Sequence, residues 1–594
     1  MRQEQWPSLP AMLFAVAAAN PRRPFLSAKV DGQWHTRTYE AAAGEVAALA
    51  RALRAAGIAP GDRVVLVSEN RPEWVIADFA IMTAGAITVP AYVTNTVADH
   101  VHILANSGAR AVIVSTGALV QRVTAAVPQA SGVELIVAMA PDPHGQSPVP
   151  MVAWDEMLRR GREAADDVTA MVAALDRDQV CCIIYTSGTG GVPKGVMLSH
   201  RNLMANAWSA YRLLEQLGVG DEIFLSFLPM SHSYEHTAGT MFPVAIAAEV
   251  RFAEGVETLA SNLVEVRPTI MTAVPRLYET LHERIRRGLE RQSPRKRQLF
   301  ELALRLGRQK AERPGSLTLW QRLQDLVVDR LVRDKVRARF GGRLKAMVSG
   351  GAPLNPEIGL FFLALGVRLL QGYGQTEASP VIAANPPDGI RMHTVGRPLA
   401  GVEVRIAEDG EILVRGANVM KGYWQDPEAT ARTVVDGWLH TGDIGHLDAD
   451  GYLVITDRKK DFIKNAGGDM IAPQRIEGLL TLEPEIAQAM LHGDRRPYLV
   501  AVLVPNEEHA RDWAKANGKP TDLRALVDDE AYRKVIGAAV ARVNQGLPAI
   551  ERVRRWTLLA EPFSVANGLL TPTLKIRRHK IREVYGETIG RLYE

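Results

Sequence analysis

Short apolar runs alternate with helical patterns from residue 60 to about residue 250. Asp62 to Ser68 and Arg110 to Ser115 are continuous apolar stretches of strand length, and Pro72 to Ala84 between them has helical spacing with proline in its first turn. A run that is apolar throughout suits a strand buried on both faces. The alternation therefore predicts parallel sheets covered by helices, with ligand loops at the carboxyl ends of strands. Val180 to Ile184 is one more such run, ending in a polar loop, and Glu222 to Leu228 is another. Pro10 to Ala19 predicts an opening helix stopped by Asn20-Pro-Arg-Arg-Pro24; Glu4 interrupts what would be a basic leader, so a signal peptide is not expected.

Strands return at Gly410 to Gly416 and Tyr452 to Thr456, and the charged connector Asp457-Arg-Lys-Lys-Asp461 follows. It sets the expected division: an N-terminal domain over 1–456, a hinge over 457–460 and a C-terminal domain over 461–594. The last of these carries strands at Ile486 to His492 and Tyr498 to Val504, with helices around 506–517 and 529–545. The fold class expected is α/β, a large N-terminal domain of helix-covered sheets plus a small C-terminal α+β domain.

Length supports this division, because 594 residues are too many for one core and imply two to four domains or subdomains. A chain that is 47% hydrophobic and 23% charged is ordinary globular protein, and a formal charge of +4 implies no nucleic-acid partner. The two cysteines, Cys181 and Cys182, are neighbours in the sequence, which excludes a disulfide scaffold and points to a reducing compartment. No run of about 18 uncharged apolar residues occurs, so no membrane span is expected.

Candidate chemistry gathers at strand ends. The loop Tyr185-Thr-Ser-Gly-Thr-Gly-Gly-Val-Pro-Lys-Gly-Val196 offers Gly188, Gly190, Gly191 and Gly195, the hydroxyls of Thr186, Ser187 and Thr189, and Lys194. Glycines let backbone N–H groups converge on an anion and lysine supplies a point charge, so the loop is a phosphate cradle. It is not a P-loop, which would need glycine at Pro193 and a hydroxyl at Gly195; a metal ligand must therefore come from elsewhere. Met347 to Leu354 brings Gly350 and Gly351 to a second strand end. Leu370 to Ser379 is a third, where Tyr373 beside Gly374 can stack on a base, Thr376 can bond a phosphate oxygen and Glu377 can hold a hard cation. Asp443, in Trp438 to Gly445, is expected in a tight turn, where it either accepts ribose hydroxyls or caps the turn.

Pro229-Met-Ser-His-Ser-Tyr-Glu-His236 clusters His232, Tyr234 and His236 after a strand; the histidine spacing fits a helix, but a third metal ligand is missing. Small residues over 238–248 leave room either for close helix packing or for an apolar ligand. Residues 283–313 hold eleven cations, which suit a solvated helix face, anionic lipid or a nucleotide's outer phosphate. Near the end, Leu570-Thr-Pro-Thr-Leu-Lys-Ile-Arg577 leaves Lys575 in a polar, proline-marked loop.

Taken in this order, these stretches resemble the adenylate-forming superfamily of acyl-CoA synthetases, luciferases and adenylation domains, over nearly the whole chain. Within it the chain is most similar to bacterial long-chain fatty-acid–CoA ligases, through the 185–190 loop, Val274-Pro-Arg-Leu-Tyr-Glu279, the helical insert before Ser349-Gly-Gly-Ala-Pro-Leu354, Asp457 to Asp461 and Leu570 to Lys575. The resemblance implies ATP-dependent activation of a fatty acid to acyl-AMP with release of pyrophosphate, then transfer to coenzyme A. It assigns Thr186 to Lys194 to the β- and γ-phosphates, Thr376 to the α-phosphate, and Glu377, with Thr186, to Mg2+. Tyr373, Gly374 and Gly351 would flank the nucleotide, Asp443 and Arg458 would hold ribose, and Lys575 would bridge carboxylate and α-phosphate. His232, Tyr234 and Gly350 would line the acyl pocket. The small domain would be mobile, swinging about Lys460 to exchange Lys575 for Lys464, Gly467 and Gly468 on the coenzyme A side. One departure is His236, where many relatives carry arginine.

The partners so implied are fatty acid, ATP and coenzyme A, in the cytoplasm, with peripheral contact at the inner membrane surface and a homodimer as further expectations. Rival readings are a medium-chain or aryl acid–CoA ligase, a ligase loading acyl-AMP onto a carrier protein, and a nucleotide-binding regulator without turnover.

Overall fold

The structure, a computed structural model, describes every residue except 3, 141–146, 187–191, 460–461, 468 and 572–574. Among the described residues the first sheet has eight strands, with Arg63–Val67 at its middle pairing in parallel with Ile87–Ala91 and Ala111–Val114. Helix α1 (Pro72–Thr83) lies against it and is buried all round except at Glu73. An all-buried helix is apolar by necessity; Asp78 within it is the exception that needs a partner.

In the same sheet β1 (Val180–Thr186) and β2 (Lys194–Ser199) run antiparallel, with Thr186 opposite Lys194. The expectation of parallel strands fails here for a simple reason: the segment between them is too short for a crossover helix, so the strands must form a hairpin. The core of the phosphate loop, Ser187 to Gly191, lies outside the described residues. The edge of β2 is covered by Gly422–Tyr423. After β2, Ser199 caps the helix His200–Leu214 and Asn202 returns the bond to the Ser199 backbone.

A second sheet of nine strands has a parallel centre of Ile223–Ser226, Ile270–Ala273, β3 (Ala346–Ser349) and β4 (Leu369–Gly374). From Ser226 the chain turns into the short helix α2 (Ser233–His236), which continues through a widened turn, Thr237–Met241, into Phe242–Ala245. Beyond Ala273, the basic stretch is two helices rather than one, α3 (Pro275–Glu290) and α4 (Pro294–Glu312), and α5 (Leu319–Val328) packs beside α4. β3 ends at Gly350 and Gly351; the latter has φ +82°, a conformation glycine adopts without penalty.

A third sheet, of five strands, contains β5 (Trp438–Leu447) and β6 (Leu453–Arg458), antiparallel with Asp443 opposite Arg458. Asp443 is therefore inside a strand and not in a tight turn. Gly442 and Gly445, which suggest a turn in the sequence, mark instead a shift of register at residues 444/445 and a close approach: a side chain at Gly445 would stand 2.3 Å from the Val454 carbonyl. β6 extends through Arg458, so the first residues of the charged connector belong to the sheet, and the Lys459 amide donates to the Gly442 carbonyl at 2.8 Å.

The remaining chain forms a three-stranded sheet from Ile486–His492, Leu499–Pro505 and Val553–Leu558, flanked by helices Glu507–Ala516 and Glu530–Gln545. It has its own core, with Ile476, Leu503, Tyr532 and Ile536 fully buried. No helix among the described residues is long and apolar enough to cross a membrane.

Candidate active site

Strand ends of all three N-terminal sheets and the loop around Lys575 converge on one cleft of about 670 Å³. Thr186, Lys194, His232, Tyr234, Gly350, Gly351, Tyr373, Gly374, Thr376, Glu377, Asp443, Arg458 and Lys575 all line it. Ser187, Gly188, Thr189, Gly190, Gly191, Lys460 and Gly468 lie outside the described residues. Lys464 and Gly467 are exposed on the hairpin of Ile463–Lys464 with Met470–Ile471 and do not line the cleft.

One wall is a polar relay. The Tyr373 hydroxyl donates to Asp443 Oδ2 at 2.5 Å, and Arg458 Nε stands 3.5 Å from the other carboxylate oxygen. Burial first, and then the Asp443 charge, hold the Tyr373 phenol well above its ordinary pKa, so it remains a neutral donor. Opposite, Tyr423 donates to Glu377 Oε1 at 2.9 Å. Lys194 sits 2.9 Å from Asp426 and 5.1 Å from the centre of the Tyr423 ring. The hydroxyls of Thr376 and Ser233 share a hydrogen bond of 3.0 Å.

Lys575 is held by its backbone, whose amide donates to Thr571 Oγ1 at 3.0 Å while its carbonyl accepts from the Thr571 amide at 2.8 Å. Burial lowers its pKa to about 8, with repulsion from Arg458 acting the same way and the charges of Asp443 and Glu377 opposing. Burial, and then the nearby Lys575, drive His232 down to about 3, leaving it a neutral ring. Its Nδ1 accepts from the Tyr234 amide at 3.3 Å. The Tyr234 hydroxyl donates to the Val348 carbonyl at 2.8 Å, and its ring lies so close to Gly350 that a side chain there would stand 3.1 Å from it.

Two acids lie below. Glu235 accepts from Ser226 and Thr272, both at 2.6 Å, yet burial raises it to about 7. Gly239 leaves the room this carboxyl occupies, since a Cβ there would fall 2.4 Å from it. His236 points away from the cleft: its Nε2 pairs with Asp78 of α1 at 2.9 Å, both side chains fully buried, and its ring meets Trp74 edge-on. The His232/His236 spacing fits a helix, yet the two do not share a helix face, because His232 is the cap of α2, with extended φ and ψ. Among the described residues no group of three or more His, Cys, Asp or Glu side chains is arranged to hold a metal. Residues 238–248 line no part of the cleft; Met241, Phe242, Val244 and Ala248 are core, so close packing is their role.

Sequence reasoning missed Tyr423, Asp426, Ser233 and the group of Glu411, His440 and Lys459, in which Lys459 Nζ lies 3.1 Å and His440 Nδ1 3.4 Å from the Glu411 carboxylate. Only Gly422-Tyr423-Trp424 carried a signal, a glycine followed by two aromatic residues after a strand pattern.

Residues 13–424 match the family model of the AMP-binding enzymes, and residues 460–594 match that of the AMP-binding enzyme C-terminal domain. The chain belongs to the AMP-binding enzyme family. Its curated relatives include the long-chain-fatty-acid–CoA ligase FadD15 of Mycobacterium bovis, 34% identical over 98% of this chain and 96% of the relative. The peroxisomal long chain acyl-CoA synthetase 7 of Arabidopsis thaliana is 33% identical over 95% of this chain and 82% of the relative. Among solved structures, the adenylation domain of a carboxylate reductase from Mycobacterium chelonae superposes with a TM-score of 0.78 at 23% identity, covering 99% of this chain and 91% of that one. The anthranilate CoA ligase AuaEII bound to anthranoyl-AMP gives 0.72 at 21%, covering 98% and 99%. These likenesses define the fold: a large N-terminal α/β domain and a small C-terminal one.

Proposed function

We propose that the chain is an AMP-forming ligase that activates a long-chain fatty acid with ATP and then passes the acyl group to coenzyme A. In the first step a carboxylate oxygen attacks the α-phosphorus and the bond to pyrophosphate breaks. In the second, the thiol sulfur of coenzyme A attacks the acyl carbon and AMP leaves with the electrons of the acyl–oxygen bond. The observation that carries this reading is that Lys575, from the C-terminal part, lines the same cleft as Lys194, Thr376, Glu377 and Asp443.

Each group has work suited to it. Attack on phosphorus concentrates negative charge, which fixed cations and aligned donors stabilise. Lys575 is the cation for the carboxylate and α-phosphate, Thr376 a donor to the α-phosphate, and Lys194, with Thr186 beside it, serves the outer phosphates. Asp443 and Arg458 take the ribose, beside Tyr373. His232, neutral and half-buried, with Tyr234 and Gly350, faces the acyl group. Mg2+ fits the donor set, since this ion needs one or two carboxylates plus phosphate oxygens and water rather than a protein cage; Glu377 would hold it, and it would neutralise charge on the phosphates. For the thioester step the hinge over 457–460 would remove Lys575 and bring Lys464 and Gly467 to the cleft. The enzyme so described works in the cytoplasm and meets its substrate at the inner membrane surface.

The test is pyrophosphate release with magnesium-ATP and saturated acids of six to eighteen carbons, with and without coenzyme A, on wild type and Lys575→Ala. Long acids should give turnover that needs coenzyme A, and the variant should lose the adenylation step. Best turnover with short or aryl acids, or acyl transfer only to a carrier protein, would replace the substrate assignment; no pyrophosphate with any acid would leave a nucleotide-binding regulator.

A further inference from the structure

The segment Met420 to Trp424 crosses from Glu377 to the strand that begins at Lys194, and its backbone is tied to both. The Met420 amide donates to the Glu377 carbonyl at 2.9 Å. The Lys421 amide donates to the Met197 carbonyl at 2.9 Å and the Trp424 amide to the Gly195 carbonyl at 2.7 Å, both on β2. In this short pairing Tyr423 lies opposite Val196. Gly422 before it has φ +136°, and a side chain there would stand 2.7 Å from Thr430, so only glycine fits. Thr430 Oγ1 accepts from the Tyr423 amide at 2.8 Å. The backbone of Tyr423 is thus fixed before its side chain makes any contact.

That side chain reaches two charged groups at once. Its hydroxyl donates to Glu377 Oε1 at 2.9 Å, and the Thr433 side chain bonds the same phenol. Its ring centre lies 5.1 Å from Lys194 Nζ, within the range of a cation–π contact. Asp426 holds the ammonium there at 2.9 Å and is itself kept in place as the cap of the helix Pro427–Thr433, accepting from the Ala429 amide at 2.9 Å. Glu377 Oε2 has no hydrogen-bond partner among the described residues, and Tyr423, Glu377 and Lys194 all line the cleft.

We propose that Tyr423 is a positioning residue that sets the Glu377 carboxylate for the divalent cation of the nucleotide: its O–H engages Oε1, and Oε2 is left to meet the metal. A carboxylate without such a bond turns about its last torsion and offers either oxygen or both, whereas Mg2+ demands near-ideal octahedral geometry and takes few protein oxygens. A hydrogen bond to a ligating carboxylate therefore carries part of the metal's affinity, and losing it costs about tenfold to a hundredfold. The same side chain keeps Lys194 near that carboxylate. Were Tyr423 only a wedge between β2 and the turn at Thr376–Ala378, losing its hydroxyl would disturb nucleotide binding alike with and without metal. The inference rests on the ligase reading, in which Glu377 takes Mg2+.

Isothermal titration of the full chain with ATP, in magnesium and in EDTA, with neither fatty acid nor coenzyme A present, tests it. Wild type should bind ATP more tightly in magnesium. Tyr423→Phe should weaken binding in magnesium about tenfold and leave binding in EDTA unchanged, because its ring still faces Lys194; that unchanged value also shows that the variant folds. Glu377→Gln should remove the advantage of magnesium, and adding Tyr423→Phe to it should cost nothing more, since a residue that acts through another is not additive with it. Equal losses in both media for Tyr423→Phe, no loss in either, or a full further loss on the Glu377→Gln background overturns the proposal. So does binding by wild type that magnesium does not improve. Pyrophosphate release with long acids by wild type, together with wild-type binding by Tyr423→Phe, would end this proposal and keep the ligase; no ATP binding by wild type would end both.

Discussion

Lys575 is a cation whose surroundings disfavour its charge, and under the role proposed for it that would set a pH limit on the first half-reaction. With its pKa lowered to about 8, chiefly by burial, the ammonium is present below that value and lost above it. The sign follows directly: adenylation measured as kcat/KM should fall as pH rises through about 8, because that parameter reports the free enzyme. Bound phosphates favour the cation, so the limb in kcat should lie at higher pH. Lys575→Arg, which stays protonated, should remove the limb at a large loss of rate, and a pH profile of pyrophosphate release with no limb near 8 in wild type would contradict the role. Glu235 shows the opposite sign. Its pKa is raised by burial to about 7 from the ordinary carboxylate range, so the folded protein holds its proton more tightly than the unfolded chain. The stability it contributes is full below the ordinary carboxylate pKa and is lost as pH rises through about 7, a difference of about 3 kcal/mol. Glu235→Gln should therefore flatten the pH dependence of thermal unfolding between pH 4 and 8, with its largest relative gain at the alkaline end.

The short helix α2 shows how one element serves two surroundings. Its cap, His232, faces the cleft, and its last residue, His236, reaches α1 to pair with Asp78 at 2.9 Å. Removing one partner of a buried pair leaves the other uncompensated, at about 3–5 kcal/mol. His236→Ala should lower stability by that amount in urea titration and leave the substrate KM values of the folded fraction near wild type; a shift in fatty-acid preference instead would return His236 to the acyl entrance. None of this was legible in the sequence, because periodicity does not reveal that a histidine is a cap, nor which helix a buried acid will meet. The strands were legible, since Arg63–Val67, Ala111–Val114 and Leu499–Pro505 are apolar runs whose burial leaves no other reading. So was the cleft in outline, because glycine-rich stretches at strand ends converge in such sheets. What escaped were contacts between distant segments: Tyr423 on Glu377, Asp426 on Lys194, and Asp443 within a strand whose glycines read as a turn.

Lys575 lies in the cleft because the C-terminal part rests against the N-terminal one, where Leu482 packs on the N-terminal core and polar contacts reach α3. Asn506 donates to Glu283 of α3 at 3.0 Å, and Arg287 of the same helix pairs with Glu508. Glu508 is 61% exposed, so such a contact is worth about 0–1 kcal/mol and no more. Polar contacts this weak would suit the proposed swing, since a two-step enzyme gains nothing from holding its first arrangement tightly. Under the proposed swing, Lys464 and Gly467, now on an exposed hairpin away from the cleft, act only in the second step. Glu508→Ala with Asn506→Ala should therefore slow adenylation by no more than about fivefold and leave thioester formation from added acyl-AMP unchanged or faster. Gly467→Val should do the reverse, sparing pyrophosphate release and slowing transfer to coenzyme A. Rapid-quench measurement of the two half-reactions separates these outcomes: equal losses in both steps for either variant would mean that the two arrangements are not used in turn, and that Lys575 stays in the cleft throughout.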